Sequence, residues 1–429
     1  MRLNGFPIHK AKVLLYSIQK KNDLEFDEYI EKSKRDIVAY HLKHNSFYKS
    51  FSKGVDIDNW NTVPVMTKGD LQTPLSKRLS NGFTEKNVYK NKTSGSSGHP
   101  FTFAKDRFCH ALTWSVFVNR YHWFNIDFNR SMQARFYGIP LNKKGYYKER
   151  FKDFLSKRYR FSVFNLTPHQ FEENLLKFKT TTFEYINGYT TAIVQFAKFL
   201  EQKNIVLNHI CPSLKICIVT SEMLFDDDRI LLESQFGIPI INEYGAAELG
   251  LIAFQKPNGM WQLNQDDLFV EILDENDTVL PIGKEGRIVI TSLYNKAQPF
   301  IRYDIGDIGT IVKSTSSREL VLSSLIGRSD DIVILPSGKK AAGLTCYYIT
   351  KSVIENDGNV KEFIIEQHEL HLFKIKYVSS KKLSLEKMEK VKSEMAKYLE
   401  QGLTVIFEKH DYMQRLKSGK LKQFISHLR

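Results

Sequence analysis

Asn91-Lys92-Thr93-Ser94-Gly95-Ser96-Ser97-Gly98-His99-Pro100-Phe101-Thr102-Phe103 is the stretch around which the rest of the chain is organised. Its centre, Thr93 to Gly98, holds two glycines, one threonine and three serines. Glycine adopts backbone angles that other residues avoid and lets main-chain N–H groups approach a ligand closely. Successive amides form an anion-binding concavity, and the hydroxyls add donors, so this composition suits phosphate oxygens. The Walker pattern, Gly-x4-Gly-Lys-Ser/Thr opening a helix, is not met. Val88-Tyr89 before the loop and Phe101-Thr102-Phe103 after it predict strand, loop, strand. A surface linker rich in glycine and serine has the same composition.

The chain has 429 residues, which predicts two or more domains. Hydrophobic residues make up 42% and charged residues 26%, the balance of a soluble globular protein. No apolar run reaches the roughly 18 residues of a membrane span, and Val13-Leu14-Leu15-Tyr16 is too short for a signal-peptide core. Cys109, Cys211, Cys217 and Cys346 form no CxxC pair, which predicts a reducing compartment and a cytoplasmic protein. The formal charge of +14 favours anionic partners. The basic residues are spread along the chain and accompany no nucleic-acid motif, so nucleic acid is not expected. A nucleotide or coenzyme A, or weak association with an anionic membrane, accounts for the charge equally well.

Residues 1 to about 50 read as helices. Val63-Pro64-Val65-Met66-Thr67-Lys68-Gly69-Asp70-Leu71 reads as a turn feeding a short helix capped by Thr67. After the loop, Asp106 to about Phe124 predicts an aromatic-rich helix. Strands and helices then alternate as far as Ile238-Pro239-Ile240-Ile241, which points to layered α/β architecture. From Trp261 to Val312 short strands and turns predict a β-rich subdomain. Beyond Gly327, strands within Phe363–Tyr377, a helix from about Leu385 to Leu399 and a strand at Leu403–Phe407 predict a small α+β domain. The expected division is a large domain 1–326, a hinge 327–330 and a mobile lid 331–429.

Five separated stretches carry the chemistry. The loop Thr93–Gly98 is the first. Asn242-Glu243-Tyr244-Gly245-Ala246-Ala247-Glu248, following a strand, offers an aromatic ring beside an amide as an adenine seat and a carboxylate for a hard cation. Arg302-Tyr303-Asp304-Ile305-Gly306-Asp307 presents carboxylates suited to ribose hydroxyls. Gly327-Arg328-Ser329-Asp330-Asp331 and Lys417-Ser418-Gly419-Lys420-Leu421-Lys422 complete the set.

With these stretches in this order, the chain resembles the adenylate-forming superfamily of acyl- and aryl-CoA ligases over most of its length. Within it the chain is most similar to the phenylacetate–CoA ligase branch and its capsule-biosynthesis relatives. Val63-Pro64-Val65-Met66-Thr67-Lys68, Arg302-Tyr303-Asp304 and Leu335-Pro336-Ser337-Gly338 carry that finer resemblance.

The resemblance implies ATP-dependent activation of an aryl or acyl carboxylic acid to an acyl-adenylate, with release of pyrophosphate and transfer to a thiol such as coenzyme A. An alternative acceptor is a sugar, amine or carrier in surface-polysaccharide assembly; a non-catalytic basic binding protein is a third reading. By resemblance Thr93, Ser94, Gly95, Ser96, Ser97 and Gly98 wrap the ATP phosphates. Asn242 bonds the adenine amino group, Tyr244 stacks on the ring beside Gly245, Asp307 takes the ribose hydroxyls, and Arg328 sits beside them. Glu248 binds Mg²⁺, Asp330 is the hinge, and Lys420 bridges the carboxylate and the α-phosphate. Tyr185, Gly188, Tyr189 and Ala246 line the acyl pocket. Two departures stand out: His99-Pro100-Phe101 lacks the lysine the family often has there, and Ala247 replaces the usual hydroxyl residue before the glutamate.

Overall fold

The structure, a computed structural model, describes residues 5–93, 101–138, 143–164, 166–314, 318–328, 332–342, 346, 350, 360–415 and 421–428. The chain forms two compact units, Met1–Ile305 with Gly309–Ser324, and Gly306–Ile308 with Leu325–Arg429.

The first unit opens with helices Ile8–Gln19, Asp23–His44 and Ser46–Phe51. Asn22 caps the second through a reciprocal pair with Glu25, which satisfies two amides the helix start leaves open. An antiparallel hairpin follows, β1 (Tyr89–Lys92) with β2 (Thr102–Lys105). The centre of the unit is a row of parallel strands: β3 (Gln133–Phe136), β4 (Arg158–Phe161), β5 (Tyr185–Tyr189), β6 (Ile216–Thr220) and β7 (Ile240–Ala246). Antiparallel strands continue the same sheet: β8 (Gly250–Gln255), β9 (Trp261–Leu263), β10 (Leu268–Leu273), β11 (Glu285–Ser292), β12 (Tyr303–Lys313) and β13 (Leu320–Arg328). The spatial order is β10-β11-β12-β13-β9-β8-β7-β6-β5-β3-β4. The stretch that reads as a β-rich subdomain is thus the antiparallel half of one sheet of eleven strands.

Parallel strands are covered on both faces, so their residues run almost continuously apolar. On one face Ala134, Phe136, Ile186, Cys217 and Val219 pack under helices Pro168–Lys179, Thr190–Gln202 and Asp226–Phe236. The last of these ends at Gly237, whose φ of 66° is the left-handed closure that favours glycine. On the other face Tyr185, Ile216, Ile218 and Ile241 meet Ala111, Leu112, Val116 and Tyr121 of helix Arg107–His122, capped by Asp106.

In the second unit β14 (Ile332–Ile334) and β15 (Lys340–Ala342) make a hairpin turned by Leu335-Pro336-Ser337-Gly338, with Gly338 at φ 82°. A second sheet there joins β16 (Val360–Gln367), β17 (Leu372–Ser379), β18 (Thr404–His410) and β19 (Phe424–Ser426) in the order β18-β17-β16-β19. Helix Leu385–Tyr398 buries Val391 and Met395, but Tyr398, at the same spacing, is 55% exposed because the helix ends there. No helix among the described residues is long and apolar enough to cross a membrane.

Candidate active site

The flanks of the glycine-serine loop are paired as strands, with Tyr89 opposite Lys105 and Lys92 opposite Thr102. The Thr93 amide donates to the Phe101 carbonyl at 3.0 Å, and the Phe101 amide donates to Thr93 Oγ1 at 3.1 Å. Ser94, Gly95, Ser96, Ser97 and Gly98 lie outside the described residues, as do Asp330, Lys420 and the side chain of Arg328.

β7 turns back into β8 with a register shift at Tyr244/Gly245. A Cβ on Gly245 would stand 2.7 Å from the Gly250 carbonyl oxygen, so this bulge needs glycine. The turn carries Glu248 inside, where it is 4% exposed. The hydroxyl of Tyr303, the first residue of β12, donates to Glu248 Oε1 at 3.1 Å. Asn242 and Tyr244 fall on one face of β7, and Tyr244 meets Trp261 edge-on at 6.2 Å.

What brings Tyr303 to Glu248 is a junction between two remote phrases. Met66 donates its amide to the Arg302 carbonyl at 2.9 Å, and its carbonyl accepts from the Asp304 amide at 2.8 Å. Arg302 Nη1 donates to the Val63 carbonyl at 2.8 Å across 239 residues of sequence. Arg302 is buried with φ 43°, a conformation costly for a side-chain-bearing residue and held here by bonds on several sides. The expected Thr67 cap takes another form. The Asp70 carboxylate accepts from Thr67 N and Oγ1 at 2.8 and 2.6 Å, and the helix is one 3-10 turn, Asp70–Gln72.

Sequence reasoning missed Lys105. On a strand end a lone lysine reads as solvated, yet this one is 2% exposed. Its Nζ donates to Thr113 Oγ1 at 3.1 Å. Burial pushes its pKa down, with Cys109 and the carboxylates of Asp267, Glu248 and Asp106 pulling the other way. Asp267 in turn is pushed up to about 6 by burial, opposed by the Asn264 amide and Lys105. Gly250 leaves the space for this network: its φ is 95°, and a Cβ would come within 2.5 Å of Thr113 Cγ2 and 3.5 Å of Lys105 Nζ.

Asp307 is half-buried on β12, four residues after Tyr303, and groups with the second unit; Arg328 ends β13. Tyr185, Gly188 and Tyr189 are all buried on β5. Four residues of strand separate the two tyrosines, about 13 Å. Tyr185 therefore lies beneath helix Arg107–His122, its ring 5.9 Å from Tyr121, while Tyr189 reaches the carboxyl edge of the sheet, 4.6 Å from Tyr137. A Cβ on Gly188 would stand 2.4 Å from the Phe136 carbonyl oxygen, so strand packing alone demands glycine there. Ala246, half-buried, ends β7 at that same edge.

No family model matches the chain. Protein CapK of Staphylococcus aureus is 20% identical over 325 residues, covering 74% of this chain and 69% of CapK. A phenylacetate–coenzyme A ligase of Aromatoleum evansii is 31% identical over 131 residues, but this match spans only 29% of either protein. Among solved structures, 2-hydroxyisobutyryl-CoA ligase with its acyl-AMP bound superposes with a TM-score of 0.72 at 16% identity, over 94% of this chain and 90% of that one. ATP-bound MatB from Rhodopseudomonas palustris gives 0.54 at 16% identity, covering 76% and 64% of the two chains. In sequence this chain is similar to CapK and, over a shorter stretch, to phenylacetate–CoA ligases, and its fold is that of 2-hydroxyisobutyryl-CoA ligase.

Proposed function

We propose that the chain is an AMP-forming ligase that joins a carboxylic acid to AMP at the expense of ATP, releases pyrophosphate, and passes the acyl group to coenzyme A. The observation that carries this reading is the convergence of residues 63–68, 242–248 and 302–304 on the buried Glu248, within the fold described above. In this reading Thr93 to Gly98 cradle the phosphates, Asn242, Tyr244 and Gly245 seat the adenine, and Asp307 and Arg328 hold the ribose. Residues 1–326 are the large domain and 331–429 a lid that turns about Asp330.

Glu248 suits Mg²⁺ by type. Its carboxylate offers oxygen, the hydroxyl of Tyr303 holds Oε1, and acceptor capacity is left over. Bound there, the ion would offset charge on the phosphates. The adenylation step brings a carboxylate to the α-phosphate, forming a C–O–P bond as the bond to pyrophosphate breaks. Loop amides and the Lys420 ammonium lower the repulsion between these anions. Closure of the lid excludes water, which would otherwise hydrolyse the acyl-adenylate. Four buried free cysteines fit a reducing, cytoplasmic setting.

The alternative keeps the adenylation step and passes the acyl group to a sugar, amine or carrier in surface-polysaccharide assembly. Acid-dependent exchange of labelled pyrophosphate into ATP tests adenylation, and accumulation of acyl-CoA tests the acceptor. Exchange without acyl-CoA selects the second acceptor. No exchange with any acid, from protein that binds ATP, overturns the reading.

A further inference from the structure

The sheet of the second unit gathers two histidines and a carboxylate that adenylation does not use. Strands β16 and β19 run parallel, with Ile365 beside Phe424, Glu366 beside Ile425 and Gln367 beside Ser426. The His427 amide donates to the Gln367 carbonyl at 2.8 Å, which carries the register one step on and sets His427 beside His368. Gln367 turns to one face, where its side-chain amide donates to the Ile334 carbonyl at 2.7 Å. Glu366 and His368 therefore share the other face. His368 Nε2 lies 2.9 Å from Glu366 Oε2, and His427 Nε2 lies 3.5 Å from the same oxygen. The two imidazole rings stack with centroids 4.5 Å apart, and one ligand atom from each of the three residues lies within 4.8 Å of the others.

Ion pairing does not account for this convergence. Glu366 Oε1 already accepts from the Lys376 ammonium at 2.8 Å, so one carboxylate has its one counter-charge. Two imidazoles aimed at the remaining oxygen are more than charge balance needs. Their spacing is that of a coordination sphere. A tetrahedral ion with bonds of about 2.0–2.1 Å holds neighbouring ligand atoms about 3.3 Å apart, and the observed 2.9 and 3.5 Å stand on either side of that. A neutral histidine can keep its proton on Nδ1 and present the Nε2 lone pair, so both rings can ligate at once. Imidazole nitrogen with one carboxylate oxygen suits zinc, whereas magnesium and calcium take oxygen ligands. Lys376 holds the far oxygen of Glu366, as outer hydrogen bonds do for ligating carboxylates, while its charge lowers the affinity. The Glu366 side chain is 8% exposed and that of His427 46%, so a fourth position faces water.

We infer that Glu366, His368 and His427 form a zinc site that fastens β19 to β16, with water as the fourth ligand. β19 begins just beyond the Lys417–Lys422 stretch, so the ion anchors the chain where it leaves that stretch. This site is independent of the adenylation reading and of the magnesium role of Glu248.

The test is titration of the full chain, stripped by a chelator and then held in excess magnesium, with Zn²⁺ by calorimetry and with Co²⁺ by visible absorption. One ion per chain should bind, and cobalt should show the strong bands of tetrahedral coordination. His368→Gln and His427→Gln should each weaken binding by about tenfold or more. His371→Gln removes an exposed histidine that stands 3.7 Å from Glu369, outside the trio, and should leave binding unchanged. Zinc should raise the melting temperature of the parent and not that of His427→Gln. Absence of saturable binding to the parent, or cobalt bands of octahedral type, overturns the inference, and neither measurement needs a variant to fold. Equal affinity in the parent, His368→Gln and His427→Gln likewise overturns it and identifies an adventitious ion only. Pyrophosphate exchange is not the readout, so failure here leaves adenylation standing.

Discussion

Glu248 and Lys105 show how much of this site depends on single buried charges. An ionised carboxylate away from water needs partners, and Glu248 has the Tyr303 hydroxyl at 3.1 Å with the Lys105 ammonium in electrostatic reach. The assignment of Glu248 as a metal ligand has a direct consequence. Magnesium takes oxygen donors and uses few protein carboxylates, so loss of one is felt in the metal requirement. We predict that Glu248→Gln, which keeps the shape and a hydrogen-bond acceptor, raises the Mg²⁺ concentration for half-maximal pyrophosphate exchange by about tenfold or more. An unchanged Mg²⁺ titration in a folded variant would assign Glu248 a purely structural part.

At the scale of elements, glycines let strands and turns approach more closely than side chains allow. Gly188 on β5 is the sharpest case, because the missing Cβ would overlap Phe136 of β3 at 2.4 Å from its carbonyl oxygen and 2.5 Å from its Cβ. Neither contact can give way cheaply, since one is backbone and both belong to the sheet centre. Gly188→Ala should destabilise the fold by about 1–3 kcal/mol, the usual range for overpacking, and lower the urea midpoint accordingly. A midpoint equal to that of the parent would mean β3 and β5 can part without cost. The junction of residues 63–68 with 302–304 works by the opposite device, with backbone bonds and one buried arginine fastening segments that the sequence keeps far apart.

For the whole molecule, the pH dependence of folding has a recognisable source in His41. This ring on helix Asp23–His44 is fully buried, with Nε2 2.9 Å from the Asn295 carbonyl oxygen and Nδ1 3.3 Å from Ser80 Oγ. Burial lowers its pKa to about 4, with the Asn295 carbonyl opposing and His44 adding to the fall. An unfolded histidine titrates near 6.5. Between those values the unfolded chain binds a proton that the folded chain refuses, so stability is full above about pH 6.5 and falls as pH drops towards 4. The loss reaches about 3 kcal/mol. His41→Gln lacks this term, so the stability gap between parent and variant should narrow between pH 7 and pH 4.5 in urea denaturation. A gap that does not change with pH would show that His41 protonates as readily folded as unfolded. Asp267, raised to about 6, acts in the other sense: it stabilises at low pH and loses that effect as pH rises through 6, so the comparison with the variant isolates His41. The lid proposal is also testable at this scale. Lys420→Ala should slow adenylate formation by about a hundred- to a thousandfold while thiol attack on supplied acyl-adenylate stays nearly intact. Single-turnover measurement of each half-reaction decides, and equal loss in both would sink the rotating lid.

The amino-acid sequence by itself determined whatever depends on local pattern or short motifs. Helices Thr190–Gln202 and Asp226–Phe236 follow from apolar spacing and a terminal glycine, and the strands flanking Thr93–Gly98 follow from β-favouring residues around a glycine-serine run. The order of the five stretches was enough to find the relatives and the fold. Tertiary structure alone decided what depends on packing between remote segments. Strands β8 to β13 read as a separate β-rich piece because nothing local says that their edge continues a parallel sheet. Lys105 looked like any surface lysine, since burial is set by helix Arg107–His122 and the β7–β8 turn closing over it. Tyr303 and Glu248, 55 residues apart, meet only because the Met66 backbone pairs with Arg302 and Asp304 while the β7–β8 turn carries Glu248 inside. Periodicity shows which way a side chain faces along its own strand, but the strand beside it, and hence the partner, is chosen by the closure of the whole sheet.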